Sequence, residues 1–71
     1  MTDFSQSVFS SMVSEVGYSE DAGGMIVRFN SGKTVVYEGV SEDQARSVAN
    51  AASVGQVINA EIKGRYRFRY L

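Results

Sequence analysis

A chain of 71 residues with a formal net charge of −1 has room for one small domain, and a domain of that size buries only about 60% of the surface its unfolded chain exposes. There is no cysteine and no histidine, which excludes disulfide staples and removes the usual zinc ligands and nucleophile–base pairs. Self-association is then an expected further source of stability.

The small net charge hides an asymmetry. Residues 1–62 carry three basic groups (Arg28, Lys33, Arg46) against all eight acidic ones, which sums to −5. Residues 63–71 carry Lys63, Arg65, Arg67 and Arg69, which sums to +4. A long duplex would meet repulsion from most of such a surface. A small anion held at the basic end would not.

The opening "MTDFSQSVFSSM" lacks a basic start and a continuous apolar core, so no signal peptide is expected. No run approaches membrane-spanning length. A soluble protein of the cytoplasm is the expectation, with residues 1–71 read as one domain. The serine-rich "SQSVFSS" contains Val8 and Phe9 and is not read as a disordered tail.

"SSMVSEVGY", Ser10 to Tyr18, alternates Met12, Ser14, Val16 and Tyr18 against Val13 and Glu15, which predicts a strand. Phe9, Met12, Val13 and Val16 also fit a helical stripe, so a helix is the rival. "SEDAGG" reads as a turn. "MIVRFN" puts Met25, Val27 and Phe29 on one face and Ile26, Arg28 and Asn30 on the other. "NSGK" is a tight connection in which Gly32 is free to take positive φ. "TVVYEGV", Thr34 to Val40, is the returning strand, with Val35 and Tyr37 on one face.

Ser41 opens a helix. In "SEDQ" it can accept from the Gln44 backbone N–H while the Gln44 side chain reaches back. Glu42 and Asp43 suit the positive end of the helix dipole. Ala45, Val48, Ala49 and Ala52 form its apolar stripe. After a break at Ser53–Gly55, a second short helix places Ile58 and Ile62 four apart, with Tyr66 continuing that face and Gly64 as a C-cap. The predicted fold is α+β: a small antiparallel three-stranded meander, two helices and a short C-terminal strand or tail.

The order "SSMVSEVGY", "MIVRFNSGKTVVYEGV", a helix, and "AASVGQVINAEIKGRY" resembles the KTSC domain, a family named after the C-terminus of some lysyl-tRNA synthetases. The family also occurs as stand-alone proteins of bacteria and phages. The resemblance runs from about Ser10 to Tyr66. It rests on Ser10–Ser11, Gly17–Tyr18, Phe29, Gly32, Tyr37, Val40, Ser53, Gly55, Ile58, Asn59, Ile62, Lys63 and Tyr66 in that order. Two departures stand out. The family's central Tyr-x-Tyr is Val35–Val36–Tyr37 here, so a role needing both tyrosines is not carried over. The proline that usually follows the valine is Ser41. The resemblance implies a binding module. The domain has been suspected of binding RNA, and small phage proteins that look like this one suggest sponges for the cyclic nucleotide signals of bacterial antiviral defence (anti-CBASS immune evasion).

No enzyme is expected. Glu20–Asp21 and Glu42–Asp43 are adjacent carboxylates in a turn and in a helix's first turn, where they serve solvation and capping. Ser10, Ser11 and Ser53 have no histidine to activate them, and no phosphate-loop motif is present. No cofactor or metal is expected.

The tail "GRYRFRYL" alternates arginine and aromatic side chains. Its structural reading is a strand with Tyr66, Phe68 and Tyr70 inward and the arginines in water. Its functional reading is a phosphate grip, because guanidinium groups clasp phosphates bidentately and aromatic planes stack on bases. The candidate ligand-binding residues are Tyr37, Ser53, Gly55, Gln56, Asn59, Arg65, Tyr66 and Arg67. Bases are expected on Tyr37 or Tyr66. Phosphates are expected at Arg65, Arg67 and the Ser53–Gln56 turn, where free helix N–H groups would point. The structural readings compete: Ser53 or Gly55 as a helix boundary, Asn59 as a cap, Lys63 as a last-turn dipole partner. The expected ligand is a cyclic di- or trinucleotide held by a homodimer or homotetramer at subunit interfaces. RNA binding and a pure assembly role are the alternatives.

Overall fold

The computed structural model describes residues 2–71. Five strands form one antiparallel sheet in chain order: β1 (Thr2–Ser7), β2 (Val13–Ser19), β3 (Gly24–Phe29), β4 (Thr34–Glu38) and β5 (Phe68–Tyr70). Between β4 and β5 lie α1 (Glu42–Ala49), the single turn α2 (Val54–Val57) and a π-helical turn over Ile58–Ile62. The class is α+β, but the three-stranded meander is corrected to five strands. The serine-rich opening is an edge strand, and the tail is the opposite edge.

Period-two alternation sorts the sheet into two faces. Phe4, Tyr18, Met25, Tyr37 and Phe68 form one row across the five strands, and Gln6, Val16, Val27, Val35 and Tyr70 form the next. Against this face pack Ala45, Val48 and Ala49 of α1, Val54 of α2, and Ile58 and Ile62 of the π turn. These side chains and Val13, Val16, Met25, Val27, Val35 and Tyr37 are the core, each 4% exposed or less. The opposite face carries the row Ser5, Gly17, Ile26, Val36 and Arg69.

The serine content of β1 does not prevent pairing, because its inward residues do the holding. Gln6 Nε2 donates to the Ala49 carbonyl at 3.3 Å and to Asn50 Oδ1 at 3.2 Å. Arg46 lies over the Phe4 ring at 4.4 Å and donates to Glu42 through Nε and Nη2. The strand thus clamps the C-terminal half of α1.

The strand predicted from Ser10 begins at Val13, because the chain at Ser10–Met12 is bound as a loop: Asn30 Nδ2 donates to the Ser10 carbonyl and Asn30 N to the Met12 carbonyl. Gly32 takes φ +97 in the β3–β4 turn. The first half of the capping box is present, with Ser41 Oγ accepting from Gln44 N at 3.2 Å. The second half is not. The Gln44 side chain instead accepts from the Tyr66 hydroxyl. Helix α1 stops at Ala49, so Ala52, predicted on its stripe, is exposed.

Ile58 and Ile62 are buried as their spacing predicts, on a widened turn in which Lys63 N donates to the Ile58 carbonyl at 2.7 Å. The helical segment ends there, and Gly64 follows at φ +87. Contrary to the prediction, Tyr66 therefore does not continue that helix's face. It packs half-buried against the core from the segment beyond.

Candidate functional site

Helix α1 packs on the middle strands, β2 and β3, and among the described residues no helix packs comparably on β5. The uncovered corner is a cleft of about 310 Å³ lined by Met12, Phe29, Lys33, Val35, Tyr37, Lys63, Gly64, Phe68 and Tyr70. Its construction follows from the register. Val35 pairs with Tyr70 and Tyr37 with Phe68, so four inward side chains stand as a square on two adjacent strands. The Tyr37 and Phe68 ring centroids are 6.3 Å apart, and Phe68 meets Tyr70 edge-on at 5.7 Å. Lys33 Nζ lies 5.8 Å from the Tyr70 centroid, within reach of the ring's negative face. Lys63 enters from the end of the π turn.

Tyr37 is held at the base of this cleft, 4% exposed. Its phenol is raised above the ordinary tyrosine value, first by burial and then by neighbouring Tyr70, so it stays neutral through the physiological range.

A second cleft, of about 330 Å³, is lined by Phe9, Ser10, Ser11, Met12, Ala52, Ser53, Val54, Gly55, Gln56 and Asn59. It gathers Ser53, Gly55, Gln56 and Asn59 with the β1–β2 loop, a neighbour that strand patterning could not name. Gly55 sits close to the loop: a Cβ there would stand 3.3 Å from Ser10 Oγ, which a small movement of that hydroxyl relieves, and in ordinary contact with Met12 Sδ at 3.6 Å. Asn59 Nδ2 reaches Met12 Sδ at 4.0 Å, so Met12 is the wall shared by both clefts. Ser53 makes no side-chain cap bond.

The other sequence-derived candidates separate from these. Arg65 and Arg67 are exposed and line neither cleft. The Arg67 carbonyl, not its guanidinium, is engaged, accepting from Glu38 N at 2.7 Å. Tyr66 is likewise outside both clefts. Its hydroxyl donates to Gln44 Oε1 at 3.0 Å. Arg69 has intramolecular partners: Glu38 at 3.3 Å and the Ala22 carbonyl at 2.6 Å. Met12, Phe29, Lys33, Phe68 and Tyr70 were not among the candidates. The signal was available in the tail's alternation, once β5 is paired with β4 and its aromatic side chains fall on the face of Val35 and Tyr37.

A five-stranded antiparallel sheet with helices on one face and an aromatic cleft at one corner defines a small α+β domain. The KTSC domain family model matches residues 9–66, and the chain belongs to that family. It is similar to the crystal structure of a KTSC domain protein from Yersinia pestis, with 29% identity, 96% of each chain covered and a TM-score of 0.84. No curated protein matches. Among the described residues no helix is long and apolar enough to cross a membrane.

Proposed function

We propose that this domain is a non-catalytic nucleotide-binding module that sequesters a cyclic oligonucleotide signal. The observation that carries the reading is the corner cleft, where the exposed rings of Phe68 and Tyr70, with buried Tyr37 at the base, share the lining with two lysines (Lys33, Lys63). Exposed aromatic faces stack on bases of any identity, and flanking cations hold phosphates. A cleft of about 310 Å³ suits one base and its sugar rather than a whole dinucleotide. Two copies of the cleft are then needed for the two bases of a cyclic dinucleotide, which accords with a symmetric oligomer.

Sequestration needs affinity alone, and the cleft brings no acid–base pair to its ligand: its ionisable groups are two lysines and two tyrosines. The acidic remainder of the chain favours a compact anion over a polyanion that tracks a long groove. The module would act in the cytoplasm, where such signals are made, and in an infected host if the chain is phage-encoded. The test is calorimetric titration with cyclic di- and trinucleotides beside single-stranded RNA. Tight binding of a cyclic member supports the reading. RNA binding with no cyclic nucleotide bound transfers the proposal to an RNA-binding module. If neither class binds, an assembly domain is left.

A further inference from the structure

The corner cleft is open to solvent. Phe68 is 56% exposed, Tyr70 62%, Met12 42% and Leu71 64%. Phe68, Tyr70 and Met12 line it, and Leu71 adjoins Tyr70 and Lys33 around the strand end. Side chains of this kind are usually covered, and two features of the surface decide what covers them.

The first is area. Four half-exposed large side chains offer on the order of 100 Å² each, which is about half of the ~800 Å² per partner that a stable interface needs. The second is charge. Lys63, Arg65 and Arg67 are exposed and have no carboxylate partner among the described residues, whereas Arg69 is neutralised by Glu38. An isologous contact sets each patch against itself, so a second copy docking here brings cations against cations, which opposes association.

The strand edge repeats the conflict. Glu38 N donates to the Arg67 carbonyl and Leu71 N donates to the Thr34 carbonyl. The alternate groups, those of Phe68 and Tyr70, therefore face away from β4. They are open to a further strand, but pairing β5 with another β5 sets arginines beside arginines.

A surface that gains from burial and repels its own copy is satisfied by a second copy plus an anion. Resting on the nucleotide reading above, we infer that this corner is a ligand-dependent dimer surface. Two copies of the chain close on one cyclic oligonucleotide. Each presents the free faces of Phe68 and Tyr70 to a base, and Lys33, Lys63, Arg65 and Arg67 of both copies surround the phosphates. The ligand supplies both the missing contact area and the missing negative charge. The unliganded chain is accordingly a monomer. Arg65 and Arg67, which touch neither cleft of their own protomer, gain their role in the closed pair.

The test is sedimentation of the full chain alone and with cyclic di-AMP, cyclic di-GMP and cyclic tri-AMP, with calorimetry on the same mixtures. The expected result is single-chain mass without nucleotide. With a bound nucleotide the mass doubles, at one nucleotide per two chains, and the doubling weakens as salt is raised. Tyr70→Ser and Phe68→Ser, both at exposed positions, should keep the monomer folded by circular dichroism and abolish the doubling. A dimer in the absence of nucleotide overturns the inference. Binding at one nucleotide per chain with no change of mass also overturns it, and leaves the nucleotide reading standing. If none of the three binds, both fail together.

Discussion

The Tyr66 hydroxyl donates to Gln44 Oε1 at 3.0 Å, a bond that spans 22 residues and fastens the segment before β5 to α1. It explains why the Gln44 side chain is absent from the capping box, and it makes Tyr66 a brace rather than a stacking platform. Tyr66→Phe removes the bond but keeps the half-buried ring. The expected cost is about 1 kcal/mol of stability in urea unfolding, the usual net value of such a bond. Nucleotide affinity should be unchanged. A variant of full stability with weakened binding would return Tyr66 to the ligand site.

What could be read in the sequence follows from how local each signal is. The alternation in "MIVRFN" and "TVVYEGV" placed Met25, Val27, Val35 and Tyr37 on the core face because those strands bury one side over their whole length. β1 escaped notice because Phe4 is its single large apolar residue among the described side chains. What holds it is Gln6 and the ring beneath Arg46, contacts to a helix more than forty residues away. The candidate site was half legible. Tyr37 and the Ser53–Asn59 group each line a cleft. The aromatic corner depends on where the helices stop, and no periodicity records that.

Tyr70 and Lys63 give the sharpest separation of stability from binding. Tyr70 is 62% exposed and Lys63 lies on the surface, so neither supports the core. Tyr70→Ala should lower nucleotide affinity by about 1–3 kcal/mol, the worth of one stacked base. Its unfolding free energy in urea should stay within about 0.5 kcal/mol of the parent's, as for surface changes generally. Lys63→Ala should weaken binding and flatten its salt dependence, because one phosphate contact is lost. Equal loss of stability and affinity in Tyr70→Ala would mean that the ring serves the fold.

The tail arginines divide by partner. Arg69 is paired with Glu38, but both side chains are nearly half exposed, so the pair contributes less than about 1 kcal/mol. Arg69→Ala should be nearly silent in unfolding and only slightly weaker in binding. Arg67→Glu places a negative charge among Lys63 and Arg65 where no native carboxylate partner is found among the described residues. It should abolish nucleotide binding and leave the thermal midpoint close to the parent. Unimpaired binding by Arg67→Glu would remove this arginine from the ligand's surroundings.

Tyr37 predicts a change at alkaline pH whose sign can be worked out. Its folded pKa lies above the unfolded value of about 10, with burial as the larger cause and Tyr70 as the smaller. For a raised pKa the unfolded chain releases its proton first. The neutral phenol therefore contributes stability that is fully present below pH 10 and is lost as the pH rises through the folded value. Urea unfolding followed from neutral to strongly alkaline pH should show this loss. Tyr37→Phe cannot ionise, so its stability should fall less steeply over the same range, with the two curves running parallel below pH 10. The two proteins differ at this position alone, so the difference between the curves isolates Tyr37. A bound base covering the cleft should hold the phenol neutral to still higher pH, so saturating nucleotide should widen the difference between the parent and Tyr37→Phe curves. Identical alkaline slopes in the two proteins would mean that the Tyr37 hydroxyl is solvated in the fold and is not the base of the cleft.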